Sequence, residues 1–186
     1  IARSRVRDHD AFYATRPLVF AHRGASSLAP ENTLAAFRAA MDAGADGIEL
    51  DVTRCASGEI VVIHDDTLDR TTNGSGRVSD TSFPALRALD AGAWFDPAFA
   101  GERVPLLSEV LDTVGGRLRL NIEIKGWSLR GETYRGATIE TEVASLVRER
   151  GLSDSVIVSS FNPSALARMR RVAPELQRAL LFAGRA

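Results

Sequence analysis

The chain has 186 residues, 45% of them hydrophobic and 25% charged, with a formal net charge of −1. This is the size and composition of one globular domain with a substantial core, and so balanced a charge leaves no footprint for nucleic acid or an anionic membrane surface. No apolar run approaches the ~20 residues of a membrane span, and a single cysteine, Cys55, excludes an internal disulfide framework. One cysteine fits a reducing compartment without demanding one, so the expected location is cytoplasmic rather than secreted or periplasmic. Ile1 in place of an initiator Met is read as upstream processing or trimming.

Strand and helix patterns alternate along the chain. Leu18 to Ala21 is a short apolar run ending at His22-Arg23-Gly24. Leu34, Phe37 and Met41 then recur at helical spacing from about Asn32 to Ala43, with Gly44 where a C-terminal cap belongs. Gly47 to Val52 reads as the second strand and Ile60 to Ile63 as the third, ending at His64-Asp65-Asp66. Residues 65–104 break the rhythm with turn chemistry at Thr71 to Gly76, one or two helical turns at Phe83 to Leu89, and the aromatics Trp94, Phe95 and Phe99. Some 40 residues are too many for an ordinary connection, so this segment reads as a subdomain inserted at the mouth of the fold. Pro105 opens the next helix, and Leu118 to Ile124 is the fourth strand. A polar loop at 126–137 leads to a helix from about Thr138 to Arg150. Val156 to Ser159 is the fifth strand, Asn162 caps a helix ending before Pro174, and Leu176 to Phe182 is the sixth strand.

Such alternation implies a parallel sheet covered on both faces. Residues able to do chemistry fall near the C-terminal ends of successive strands, which is where a (β/α)8 barrel of the TIM type carries its site. Chains with an open doubly wound sheet usually show a glycine-rich loop after the first strand, and Gly24 alone is not one. The expected architecture is therefore one barrel domain spanning residues 1–186, with the insertion at about 65–104. A full barrel takes ~250 residues, and six visible strands leave the last two unaccounted for; either the chain is incomplete at its C-terminus, the favoured expectation, or the barrel is open.

Two strand segments, Glu49-Leu50-Asp51 and Glu123-Ile124-Lys125, are apolar except at positions two apart. Side chains two apart share a face of a strand. Unpaired charges on a buried element cost several kcal/mol, and three converging carboxylates suit one hard divalent cation, Mg²⁺ or Ca²⁺. Glu49, Asp51 and Glu123 are thus the candidate ligands. The competing account is an ion-pair network with Arg23 and Lys125, in which three acids would face only two bases. Arg23 and Lys125 beside a cation make a site for an anion, most simply a phosphate. His22 and His64, at strand ends flanking the carboxylates, read as an acid–base pair. Asp65 could hold His64 in one tautomer or merely begin a loop, and the same holds for Asp66. His9 reads as a solvated surface residue, Cys55 as a bystander, and the aromatics at 94–99 as a small satellite core.

In this order and spacing, His22-Arg23-Gly24, Pro30-Glu31-Asn32-Thr33, Glu49-Leu50-Asp51-Val52, His64-Asp65, Asp69 to Gly74 and Glu123-Ile124-Lys125 resemble the glycerophosphodiester phosphodiesterases. The resemblance runs from residue ~18 to 182 and includes the insertion. It implies a barrel hydrolase that cleaves glycerophosphodiesters into sn-glycerol 3-phosphate and an alcohol such as choline or ethanolamine. It also implies metal binding by Glu49, Asp51 and Glu123, general acid–base roles for His22 and His64, and phosphate binding by Arg23 and Lys125. The motifs match throughout, and the resemblance implies that the family's last strands are absent from this chain. The expected partner is a small glycerophosphodiester, with no nucleic acid and no integral membrane segment. Rival readings are a barrel phosphodiesterase acting on intact phospholipids, similar to sphingomyelinase D, and a non-catalytic metal-dependent binding module.

Overall fold

The computed structural model describes residues 17–126 and 133–183; His9 and part of the 126–137 loop lie outside them. In chain order the elements are β1 (Phe20–His22), α1 (Leu34–Asp42), β2 (Gly47–Arg54), β3 (Ile60–Val62), α2 (Phe83–Ala88), α3 (Leu107–Val114) and β4 (Arg119–Ile124). Then come the short pair β5 (Thr133–Tyr134) and β6 (Ala137–Thr138), α4 (Ile139–Glu149), β7 (Val156–Ser160), α5 (Pro163–Val172) and β8 (Gln177–Leu180). Asn162 caps α5 as expected, accepting from the Ser164 N–H, and Thr33 and Thr138 cap α1 and α4 likewise, accepting from Ala36 and Thr141. Pro105 differs from expectation. It precedes α3 by two residues, and the helix start is set by Glu109, whose carboxylate accepts the Leu106 N–H at 2.8 Å.

The sheet runs β1-β2-β4-β7-β8, every neighbouring pair parallel. Its order never reverses. With right-handed crossovers, that keeps the connecting helices on one side of the sheet, as in a barrel and unlike a doubly wound sheet. Alternation along each strand matches. Ile48, Leu50 and Val52 of β2, Leu120, Ile122 and Ile124 of β4, and Val156 and Val158 of β7 form one buried cluster. Against them pack Phe37 of α1, Val110, Leu111 and Val114 of α3, Val143 and Val147 of α4, and Met169 of α5.

The third strand corrects the sequence reading. β3 pairs antiparallel with β2, Val52 opposite Val62 and Arg54 opposite Ile60, so the described residues hold five parallel strands rather than six. The cause is local. The turn closing Cys55 to Glu59 places Gly58 at φ +104°, a conformation that strains any side chain. A hairpin results where a crossover was expected. β2 also outruns β1, whose pairing stops at Glu49, and β3 takes the vacant edge above it. The hairpin returns the chain to the level of Asp51, whose carbonyl accepts the Ile63 N–H at 3.0 Å. His64 follows directly.

Beyond it, residues 65–104 pack Leu68, Val78, Leu86, Ala91 and Val104 with Cys55, Val61 and Ile63 in a second, smaller core. Trp94, Phe95 and Phe99 meet edge to face at centroid distances of 5.8 and 5.7 Å, but Trp94 is exposed, the two phenylalanines are half-buried and none belongs to this second core, so they form a surface cluster rather than the expected satellite core.

Candidate functional site

Register assembles the charged face. In β2, Glu49 and Asp51 share the face opposite Leu50, and pairing sets Asp51 against Glu123 of β4 and Glu49 against both His22 of β1 and Asn121 of β4. The three acids each offer a carboxylate oxygen, all within 4.8 Å of one another. Asp51 is 1% exposed.

The partners come from strand ends and from the loop after β1. Arg23 and Gly24, at φ +57° and +80°, turn the chain sharply at the end of β1. A Cβ at Gly24 would lie 2.7 Å from that of Ala36, so only glycine lets α1 come this close. The turn aims the Arg23 N–H at Glu49 Oε2 (3.1 Å), while its guanidinium reaches Glu31 Oε1 (Nη1, 3.0 Å) and stands 3.6 Å from Asp51 Oδ2 (Nε). Asn32, at φ +56°, donates from Nδ2 to Asp51 Oδ2 at 2.9 Å. Lys125 Nζ lies 3.2 Å from Glu123 Oε1 and 3.6 Å from Asp51 Oδ1.

Cationic side chains thus serve Asp51 and Glu123, whereas Glu49 has a backbone N–H and the His22 ring, 3.8 Å away. Burial, with Asp51 and Glu123 alongside, pushes the Glu49 carboxyl up to about 7. The donor set fits a hard divalent cation. Metal–oxygen distances of about 2.0–2.6 Å bring ligand oxygens of one ion to within about 5 Å of each other, and a dication would offset the charge that two bases leave over.

The two histidines stand in different surroundings. The His22 side chain is 69% exposed. His64 meets Asp65 Oδ1 through Nδ1 at 2.6 Å and lines a cavity of about 570 Å³ whose wall also holds Asp66, Arg77, Lys125 and Glu140. Arg70 binds Asp65 and holds its carboxyl well below the usual range, helped by His64. Burial pushes Glu31 upward, but Arg70 and Arg23 outweigh it and hold it low. The structure groups Glu49, Asp51, Glu123, Arg23, Lys125 and His22 by direct contact, and His64, which arrives by a hairpin, shares a cavity wall with Lys125. Sequence reading assigned no part to Glu31, Asn32, Arg70 or Asn121. Three of them fall inside quoted motifs, and only register could have found Asn121. Cys55 is buried beside Ser57 and Glu59, away from these groups.

Residues 22–186 match the glycerophosphoryl diester phosphodiesterase family. A glycerophosphodiester phosphodiesterase from Caldanaerobacter subterraneus subsp. tengcongensis is 46% identical over 168 residues, covering 90% of this chain and 67% of that protein. Among solved structures, a glycerophosphodiester phosphodiesterase from Agrobacterium tumefaciens superposes with a TM-score of 0.78 at 40% identity, over 88% of this chain and 66% of that one. An Oleispira antarctica phosphodiesterase in complex with the product sn-glycerol-3-phosphate does so with a TM-score of 0.75 at 34% identity, over 87% and 64%. This chain spans about two thirds of the length of these relatives. On sequence and structure alike, the chain belongs to the glycerophosphoryl diester phosphodiesterase family.

Proposed function

We propose that the protein hydrolyses glycerophosphodiesters to sn-glycerol 3-phosphate and an alcohol in a reaction that needs one divalent cation, Mg²⁺ or Ca²⁺. The observation that carries this reading is the convergence of Glu49, Asp51 and Glu123 within 4.8 Å, with Lys125 and Arg23 against them and His22 and His64 on the flanking segments. The product held by the Oleispira relative supports the choice of substrate. The same proposal takes residues 1–186 as one TIM-type barrel domain with a subdomain inserted at about 65–104. Support for the barrel is the unreversed parallel order and the solved relatives; among the described residues the sheet is open, with β1 and β8 at its edges.

Glu49, Asp51 and Glu123 would hold the cation, which when bound supplies positive charge to the phosphoryl oxygens. A phosphodiester resists attack because its anion repels nucleophiles and its alkoxide is a poor leaving group. Arg23 and Lys125 offset the first difficulty, standing on the charged face where a phosphate would meet two more cations. His22 and His64 address the second. One imidazole takes the proton of the attacking oxygen as the new P–O bond forms; the other gives a proton to the leaving oxygen as the old bond breaks. The attacking oxygen belongs to water or to the glycerol moiety itself, and the histidines exchange roles if a second step follows.

The test is release of glycerol 3-phosphate from glycerophosphocholine with and without EDTA. Release that stops on chelation and returns with Mg²⁺ or Ca²⁺ is expected. Release indifferent to a chelator shown to have stripped the protein would refute the cation requirement, and no release from folded, metal-loaded protein would refute the substrate.

A further inference from the structure

We propose that Arg70 is a positioning residue that ties the segment carrying His64 to the segment carrying His22 and Arg23, a role that rests on the hydrolase reading above. Its guanidinium uses two edges at once. Nε and Nη2 donate to the two oxygens of Asp65 at 2.6 and 3.0 Å, and Nη1 and Nη2 donate to the two oxygens of Glu31 at 2.8 and 2.8 Å. Each carboxylate passes the constraint on. Asp65 accepts from His64 Nδ1 at 2.6 Å, which fixes the proton on that nitrogen and leaves Nε2 for chemistry. Glu31 accepts from Arg23 Nη1 at 3.0 Å, and the Arg23 N–H in turn reaches Glu49. One side chain from the connection after β3 thereby links both histidine arms to the carboxylate face.

Arg70 itself is held on a fixed turn. Thr72 bonds the Leu68 carbonyl through both its N–H and its hydroxyl (3.1 and 2.7 Å), and Leu68 N–H donates to Gly76 at 2.9 Å. The Arg70 side chain is 44% exposed, and ion pairs that open to water contribute little to stability. What the fork supplies is direction. Lysine, a point charge with no planar fork, cannot hold two carboxylates in this way. The other charged groups lining the cavities beside His64 are Glu31, Arg54, Asp66, Arg77, Lys125, Glu140 and Arg168.

Arg70→Gln and Arg70→Lys decide the matter by two readouts. On glycerophosphocholine, kcat is expected to fall about 10- to 100-fold in both variants while KM stays within about twofold. By proton NMR, the hydrogen-bonded His64 Nδ1–H should give a far-downfield resonance in the wild type. It should vanish in His64→Gln, and in both Arg70 variants too, with the thermal midpoint little changed. Unaltered kcat, rescue by lysine, a rise in KM alone, absence of the resonance from the wild type, or its persistence in Arg70→Gln would each overturn the assignment. The resonance needs no turnover. A wild type that shows it yet releases no glycerol 3-phosphate would sink the hydrolase reading and leave the clamp standing.

Discussion

The two faces of β2 and β4 are made by the same residues in alternation and obey opposite rules. On the helix side, Leu50, Val52, Ile122 and Ile124 are buried among apolar neighbours from α1, α3 and α4. On the other side, Glu49, Asp51 and Glu123 crowd three carboxylates against two bases, and burial drives Glu49 up to about 7. The first face gains from every methylene it buries. The second works against folding unless something positive is bound, which is the mark of a face kept for chemistry. A strand of period two lets one short segment do both jobs, and substitutions one residue apart should therefore have unlike consequences.

The largest expected difference is in turnover. His22→Ala or His64→Ala should lower kcat by about 10²- to 10⁴-fold with far-ultraviolet circular dichroism and thermal midpoint nearly unchanged; wild-type rates in either variant would remove that histidine from the chemistry. Ile122→Ala, one position from Glu123, should do the reverse. A fully buried isoleucine truncated to alanine costs about 2–5 kcal/mol, read as a lower denaturant midpoint, while the rate per folded molecule holds. If that variant lost activity without losing stability, the division between the faces would be wrong.

A smaller effect concerns pH. Glu49 has a folded value near 7 against an ordinary 4.5. Because folding raises it, the folded state binds this proton more tightly. The contribution to stability is complete below about 4.5 and is lost as pH rises through about 7. Metal-stripped protein should therefore unfold at lower denaturant at pH 7.5 than at pH 5 through this group, and saturating Mg²⁺ or Ca²⁺ should shrink the gap. An equal gap with and without cation would contradict the argument. The smallest effect is expected in the second core: Cys55→Ala should change turnover by less than about twofold.

The apolar alternation and the Glu-x-Asp and Glu-x-Lys spacings were legible in the sequence because a strand's period is local, and so were the main helices, with the Asn162 cap, though not the start of α3. What could not be read was set by partners distant in sequence. The hairpin is the exception: five residues, Cys55 to Glu59, are too few for a crossover to a parallel strand, so the reversal at Ile60 to Val62 is set locally and the vacant edge of β2 above β1 only receives it. That one reversal turned a sixth parallel strand into a hairpin and changed how His64 arrives. Asn32 and Arg23 sit at positive φ, a property their identities only faintly favour. The link from Glu31 to Asp65 spans a separation that only the folded loop closes, through Arg70.

The most direct measurement is calorimetric titration of chelator-stripped protein with Mg²⁺ and with Ca²⁺, comparing the wild type with Glu49→Gln and Glu123→Gln. The account predicts one site per chain in the wild type, with affinity sharply reduced in each variant. Equal binding by all three proteins, or none by the wild type, would contradict it.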